Sequence, residues 1–476
     1  MPNPEIDLLS VFRGSVTAPA GCGKTHLIAQ SLARYTNSRP ILVLTHTNAG
    51  VASLRGRFDR MGIAAKAYRL ATIDGWSMKA ASMFPARSGL DPAVLKLETP
   101  ALDYPAIREA AVRLLASGAL DESLKSTYAH LIVDEYQDCS VLQHSLIFYL
   151  SIVLPTCVLG DPMQAIFGFK GNPLIEWKTV QSHFTDAGTL STPWRWRNMG
   201  TEPFGHWLLG VRESLRTGIA VDLRNAPDNV TWLPIDASNP HPSRLKAAQT
   251  NAPTRDGSVL VICDSMDKSG QQELASQTPG AVTAEAVDMA DLLKFARYFS
   301  LGTPAFALQQ LLSFAQSVMT SCGIAELNRR IDTLTRGTAR TPASPIEVAA
   351  LTFLSSASYA TAEELLYAMR DGAGVRLFRP SIFFAALAAL RSAAHGGVSL
   401  LEAFSRVREE GRQVGRPLPR KAIGSTLLFK GLEAEVGVVT DARSLDAKNL
   451  YVAMTRGSLA LVVCNPTPFL NPARVE

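Results

Sequence analysis

Metal-binding spacings are missing from this chain. Its six cysteines (Cys22, Cys139, Cys157, Cys263, Cys322 and Cys464) are scattered, none forms a CxxC pair, and no HExxH occurs among the histidines. That pattern argues against zinc sites, iron–sulfur clusters and a disulfide framework, and it suits a reducing cytoplasm, the expected localisation. Long apolar runs are missing as well. With no stretch of ~18 uncharged apolar residues, no membrane-spanning helix and no membrane partner are predicted. The opening segment MPNPEIDLLSVFRG carries acidic residues and no apolar core, unlike a secretory signal. No repeat recurs at fixed spacing.

What is present is ordinary for a packed globular chain. Hydrophobic residues make up 47% and charged residues 19% of the 476 positions, which excludes extended disorder. That length accommodates two to four domains. The net charge of +5 is compatible with a polyanionic partner without by itself implying one.

Four short apolar runs in the first third, Gly14–Ala18, Ile41–Thr45, Leu131–Val133 and Thr156–Leu159, read as buried parallel strands separated by helical stretches. Such alternation predicts an α/β doubly wound sheet with ligands at the carboxyl ends of the strands. Residues 79–127 offer no comparable strand and read as a small helical insertion. A Pro/Asn/Ser-rich stretch near 234–253 is loop-like, and strand character returns at Ser258–Cys263. From about Ser269 to Gln413 the apolar residues fall at helical spacing, as in AEAVDMADLLKFARYF and SIFFAALAALRSAA, a pattern that packing consumes far more often than ligands do. Strands resume at Glu435–Thr440 and Leu459–Val463.

Two motifs carry chemistry. APAGCGKT, Ala18 to Thr25, follows a predicted strand and opens a helix. Its small residues (Ala20, Gly21, Cys22, Gly23) let backbone N–H groups curl towards phosphate oxygens, and the helix N-terminus, which includes His26, adds donors. Lys24 would neutralise the β- and γ-phosphates, and Thr25 would bind Mg²⁺. The strict pattern begins with Gly, where this chain has Ala18. The second motif, LIVDEYQD, ends an apolar strand in two carboxylates. Asp134 would hold Mg²⁺, and Glu135 would accept a proton from the water attacking the γ-phosphate. ATP and Mg²⁺ are the expected cofactors.

DEYQD and its neighbours resemble a UvrD/Rep/PcrA-type superfamily 1 helicase. Further matches appear in that family's order: LTHTNAG (Leu44–Gly50), ATIDGW (Ala71–Trp76), LGDPMQAIFGFKG (Leu159–Gly171), LSTPWRW (Leu190–Trp196), STLLFKGLEAEVGVV (Ser425–Val439) and LYVAMTRG (Leu450–Gly457). The resemblance implies two RecA-like P-loop NTPase domains with helical insertions and ATP between them: 1–76 plus 128–195 for the first, 77–127 for its insertion, 196–268 plus 414–476 for the second, and 269–413 for a helical insertion domain. It implies that Gln164 senses the γ-phosphate. It also implies that Arg195 and Arg456 reach that phosphate from the second domain, with Arg197 a rival to Arg195 in WRWR. Glu433 falls near the nucleotide sugar. His46, Thr47, Asn48, Thr72, Trp76, Phe169 and Ser425 fall along single-stranded DNA, with Phe169 stacking on a base and Phe167 nearer the nucleotide.

The activity so implied is an ATP-dependent 3′–5′ translocase or helicase, a DNA-stimulated ATPase acting on single-stranded, tailed or duplex DNA. The alternative is an ATP-gated DNA-binding subunit that signals to a partner nuclease in DNA repair or anti-phage defence; a small-molecule P-loop kinase would leave GDPMQAIFGFKG and YVAMTRG unexplained. Three departures from the family's pattern stand out. No Gln precedes Gln30, so the adenine-reading glutamine has no counterpart; His46 replaces the usual Phe; and Leu427 or Leu428 takes the place of a histidine. The first insertion is also short for the family, which predicts weak unwinding by the isolated chain.

Overall fold

The computed structural model describes residues 6–168, 172–286, 288–414 and 419–472, without the side chains of 411–414. The chain forms two compact units. One comprises Met1–Trp232, Leu445–Leu461 and Thr467–Glu476; the other comprises Leu233–Ser444 and Val462–Pro466.

The first unit is built on a six-stranded sheet: β1 (Arg13–Thr17), β2 (Ile41–Thr45), β3 (Tyr68–Thr72), β4 (Leu131–Val133), β5 (Thr156–Gly160) and β6 (Thr185–Thr189). Its order is β3-β2-β4-β5-β1-β6, and every pairing is parallel. The inner strands β2, β4 and β5 are buried throughout, as continuous apolar runs in a sheet covered on both faces must be. The two edges are β3 (YRLAT) and β6 (TDAGT), both at least partly exposed. The strand carrying APAGCGKT and the strand carrying DEYQD are separated by β5 alone, which brings both carboxyl ends to one side of the sheet.

Helices cover that sheet and start where the sequence supplies caps. Thr47 accepts from Gly50 N at the head of Asn48–Arg60, and Thr72 accepts from Gly75 N at the head of Ile73–Met83. Ser140 and Gln143 form a reciprocal capping box on Val141–Val153. The segment before β4 is helical (Pro85–Ser88, Pro100–Ala116 and Asp121–Thr127). It is tied to the body by a fork from Arg108 to Asp74, both bonds 2.7 Å, and by Gln143 Nε2 donating to Asp74 Oδ1 at 3.0 Å.

A second six-stranded sheet has strands β7 (Val230–Leu233), β8 (Val259–Cys263), β9 (Val282–Thr283), β10 (Lys421–Ser425), β11 (Ala434–Val439) and β12 (Gly457–Cys464), in the order β9-β10-β8-β11-β12-β7, of which β8 to β11 lie wholly in the second unit. The pairings β9–β10, β10–β8 and β8–β11 are parallel. Between β9 and β10 lie helices Ala290–Tyr298, Pro304–Val318, Ile324–Thr335, Pro345–Ser355, Tyr359–Arg370, Pro380–Ala394 and Leu400–Val414. Proline opens three of them, where its missing N–H costs nothing. Their apolar stripes close on a core of their own around Leu311, Phe353, Leu365, Phe383 and Phe404. The α/β class expected from the sequence holds for both units. Among the described residues no helix is long and apolar enough to cross a membrane.

A polar network runs from the core of the first unit to its surface. Tyr136 Oη lies 2.8 Å from His144 Nδ1, and His144 Nε2 lies 2.8 Å from His183 Nδ1. Burial, and then the neighbouring His183, push the His144 imidazole down to about 4. In an unfolded chain the same ring titrates near ~6.5. Between those values the unfolded state binds more protons, so the contribution of His144 to stability is complete above pH ~6.5 and is withdrawn as pH falls towards 4. Unfolding midpoints measured from pH 7.5 down to 4.5 should therefore fall more steeply for the natural chain than for His144→Gln. Parallel slopes would show that His144 does not contribute.

Candidate nucleotide site and nucleic-acid face

After β1 the backbone turns at Ala18, whose N–H donates to Gly160 O at 2.8 Å, and then curls through Gly21 and Gly23. Both glycines are left-handed, at φ 72° and 84°, a region that residues with a Cβ adopt at a cost. The helix Lys24–Arg34 begins at once, with Gly23 as its N-cap. Ala20 N donates to Tyr451 Oη at 3.1 Å, and Arg195 N donates to Gly21 O at 3.0 Å. A Cβ on Gly21 would fall 2.4 Å from the Trp196 ring, and one on Gly23 would fall 2.8 Å from Trp194. The glycines thus meet two needs, the curl of the loop and the approach of two indoles from the short helix Trp194–Asn198. Trp196 is buried, while Trp194 remains 39% exposed.

Lys24 reaches across to the end of β4. Its Nζ lies 3.0 Å from Asp134 Oδ1 and 2.6 Å from Glu135 Oε1. Burial works to lower the ammonium's pKa, but attraction to the two carboxylates outweighs it and the value rises. Burial, opposed by Lys24 and reinforced by Glu135, holds Asp134 above the usual carboxylate range. Glu135 itself adopts φ 55°, a left-handed conformation that costs a non-glycine residue on the order of 1 kcal/mol or more and tends to cluster at functional sites. Gln137 Nε2 donates to Glu135 Oε2 at 2.5 Å, and Gln137 Oε1 accepts from Asp161 N at 3.1 Å. Gln164 Nε2 donates to Asp161 Oδ2 at 3.1 Å.

These residues fit the groups the sequence implies. A loop without side chains at its two left-handed positions, a helix N-terminus and an ammonium suit a polyphosphate. Thr25, in the first turn of that helix, and Asp134 offer the oxygen ligands that Mg²⁺ takes when phosphate completes its shell. His26 follows on the exposed side, held below its usual range by burial and then by Arg57.

The two predicted arginines converge. Arg195 Nη1 donates to Thr455 O at 2.6 Å, and Arg456 donates to Val452 O at 2.8 Å and to Thr455 Oγ1 at 3.0 Å. Both belong to the same compact unit as Lys24. Arg197 turns elsewhere, pairing with Glu202 at 2.7 Å. Glu433 and Ser425 lie in the other unit, Glu433 exposed and Ser425 buried at the end of β10.

The nucleic-acid candidates divide. His46, Thr47 and Asn48 follow the carboxyl end of β2, and Thr72 ends β3. Thr47 and Thr72 serve as helix caps, a role their motifs did not disclose. Trp76 is 8% exposed and packs in the core with Leu44, Ile73 and Leu114, away from an open surface. The ring of His46 is stacked with that of Phe167, centroids 6.4 Å apart and planes 24° from parallel. Phe169 lies outside the described residues.

A parallel sheet with a phosphate loop on one strand and an acidic pair two strands away defines the P-loop α/β class. Comparison with known proteins is narrower. Residues 93–184 match the family described as UvrD/REP helicase N-terminal domain. A 75-residue stretch is 31% identical to an ATP-dependent helicase/nuclease subunit of Leuconostoc mesenteroides subsp. mesenteroides, covering 16% of this chain and 6% of that protein. Two solved structures of Arterivirus nonstructural protein 10 (helicase) are also similar. The one with DNA has 11% identity and a TM-score of 0.28 over 54% of this chain and 49% of that one. The other has 13% identity and a TM-score of 0.29 over 58% and 54%. Residues 93–184 are thus similar to the UvrD/REP helicase N-terminal domain, the family that the motifs resemble.

The packing of the loop yields a direct test. Gly21→Ala adds both a left-handed alanine and a clash with a buried indole, whereas Gly62→Ala, at φ 66° with open space around it, adds only the first. Gly21→Ala should cost roughly 1–3 kcal/mol more than Gly62→Ala in chemical denaturation. Equal costs would mean that Trp196 yields freely.

Proposed function

We propose that this chain is an ATP-dependent motor of the UvrD/Rep type that translocates 3′ to 5′ on single-stranded DNA, its hydrolysis stimulated by that DNA. The observation that carries this reading is the placement of Lys24 Nζ within 3.0 Å of Asp134 and 2.6 Å of Glu135. A phosphate-neutralising cation and a general base are thereby assembled at the end of a glycine loop. The match of residues 93–184 to a helicase family supports the choice among P-loop activities.

In this reading Lys24 and the loop N–H groups hold the β- and γ-phosphates. Glu135 accepts a proton from the water whose oxygen bonds to the γ-phosphorus, as the bond to the ADP oxygen breaks and phosphate is released. Thr25 and Asp134 would hold Mg²⁺, which would neutralise part of the phosphate charge. Arg195 and Arg456 stabilise the charge of the transferring group, Gln164 reports the γ-phosphate, and Glu433 sits by the sugar. The strand passes His46, Thr47, Asn48, Thr72 and Ser425, with Phe169 as the stacking ring and Phe167 nearer the nucleotide. The stacking of His46 on Phe167 favours a base platform there. The domain limits read from the sequence, with the short helical segment before β4, go with translocation in which strand separation is weak.

Phosphate release measured with and without single-stranded DNA tests the reading. Lys24→Ala should weaken nucleotide binding. Glu135→Gln should keep binding and lower kcat by about 100-fold or more, because an amide cannot take the proton. DNA affinity should fall as salt rises. Duplexes with a tail of either polarity then report direction, and a 5′ tail alone supporting strand release would reverse it. Full turnover by Glu135→Gln would overturn the assignment of Glu135 as base, absence of ATP hydrolysis by the natural chain would overturn the proposal, and stimulation only through an added nuclease would favour the signalling role.

A further inference from the structure

Arg212 belongs to none of the sequence motifs, yet it is only 9% exposed and carries a full charge. It sits on the helix Glu202–Thr217 and forks onto Asp161. Its Nη2 lies 2.7 Å from Oδ1, and its Nε lies 3.1 Å and 3.3 Å from the two oxygens. Asp161 is completely buried. Burial opposes the guanidinium's charge and Asp161 restores it, so its pKa ends above the usual value.

The carboxylate it grips is a junction. Asp161 Oδ1 also accepts from Met163 N at 3.1 Å, and Oδ2 accepts from Gln164 Nε2 at 3.1 Å. The Asp161 N–H donates to Gln137, whose amide in turn holds Glu135 Oε2. Gly160 leaves room for this, since a Cβ there would fall 2.6 Å from Gln137 Oε1. The other oxygen of Glu135 meets Lys24. An unbroken chain of polar contacts therefore runs from Arg212 through Asp161 and Gln137 to the carboxylate expected to act as base.

The same helix is locked to the phosphate loop. A Cβ on Gly205 would fall 2.7 Å from Pro193 and 2.9 Å from Trp196, and the Trp196 ring meets Gly21. Trp196 and Phe204 also meet edge to face, 6.1 Å apart. The helix thus has two fixed points, one at the loop that would hold phosphate and one at Asp161.

We infer that Arg212 is a positioning residue for hydrolysis: by fixing Asp161 it sets Gln137 and Gln164, and through Gln137 it orients Glu135 towards the attacking water. This rests on the ATPase reading given above. A buried ion pair used only for packing would affect stability alone. A positioning pair would affect turnover in molecules that are folded and bind nucleotide, because a displacement of about 1 Å at a reacting group can cost on the order of 100-fold in rate.

The test uses the full chain and four variants: Arg212→Met, Arg212→Lys, the double variant Asp161→Asn/Arg212→Met, and Glu135→Gln as reference. Unfolding midpoint, affinity for a fluorescent ATP analogue, kcat and KM are measured for each. Arg212→Met should bind the analogue within about 3-fold of the natural chain while kcat falls about 10- to 100-fold, and Arg212→Lys, which keeps the charge but not the fork, should recover part of that loss. If Arg212→Met does not fold, the double variant, which leaves no unpaired buried charge, should fold and still show the lowered kcat. Natural kcat per folded molecule in Arg212→Met, or in the double variant, overturns the inference. If Glu135→Gln is inactive in that same experiment, the ATPase reading stands without it. Full turnover by Glu135→Gln removes Glu135 as the base, and the inference with it.

Discussion

One ammonium group sets the geometry of the first unit's site. Lys24 stands at the start of a helix after β1, and its two carboxylate partners stand at the end of β4. The strand between them, β5, carries Gly160 and Asp161 at its own end. For Lys24 to touch both carboxylates, three parallel strands must finish in register and the loop must curl without side chains. The parallel pairing from β1 through β5 to β4 provides the first condition, and the left-handed glycines provide the second. A group this buried keeps its charge only because two opposite charges face it, so fold and site are specified by the same contacts.

The sequence disclosed those parts whose pattern is local. ILVLT, LIV and TCVLG are continuous apolar runs, and they became the inner strands; APAGCGKT and the acidic pair that ends the strand LIV are compact motifs, and they met. The edge strands YRLAT and TDAGT were not legible, because an edge needs no apolar run and their strand state comes from a neighbour's hydrogen bonds. Thr47 and Thr72 show a second limit. A hydroxyl at a strand end reads equally as a ligand group or as a cap, and here both cap helices. Trp76 shows a third, since an aromatic within a motif gives no sign of which way its helix faces, and this one faces the core.

Contacts between residues distant in sequence could not be read at all. Arg195 and Arg456 are 261 positions apart and meet at Thr455. Asp161 and Arg212 are 51 apart and neither flags the other. WRWR left Arg197 as a rival to Arg195, and the two part in three dimensions, one towards Thr455 and the other towards Glu202. The helices between β9 and β10 were legible as helices because their stripes are regular. Their shared core around Leu311, Phe353 and Phe383 explains why those stripes are there.

The two indoles against the phosphate loop make the loop optically observable. Trp194, partly exposed, lies over Gly23, and Trp196, enclosed, lies over Gly21. They are two of only six tryptophans in the chain, and their emission depends on polarity and on neighbouring dipoles. An intrinsic fluorescence signal is thus built into the backbone that would cradle phosphate, with one reporter facing solvent and the other facing the core. A shift of that loop by a fraction of an ångström would change the surroundings of both indoles without any added label.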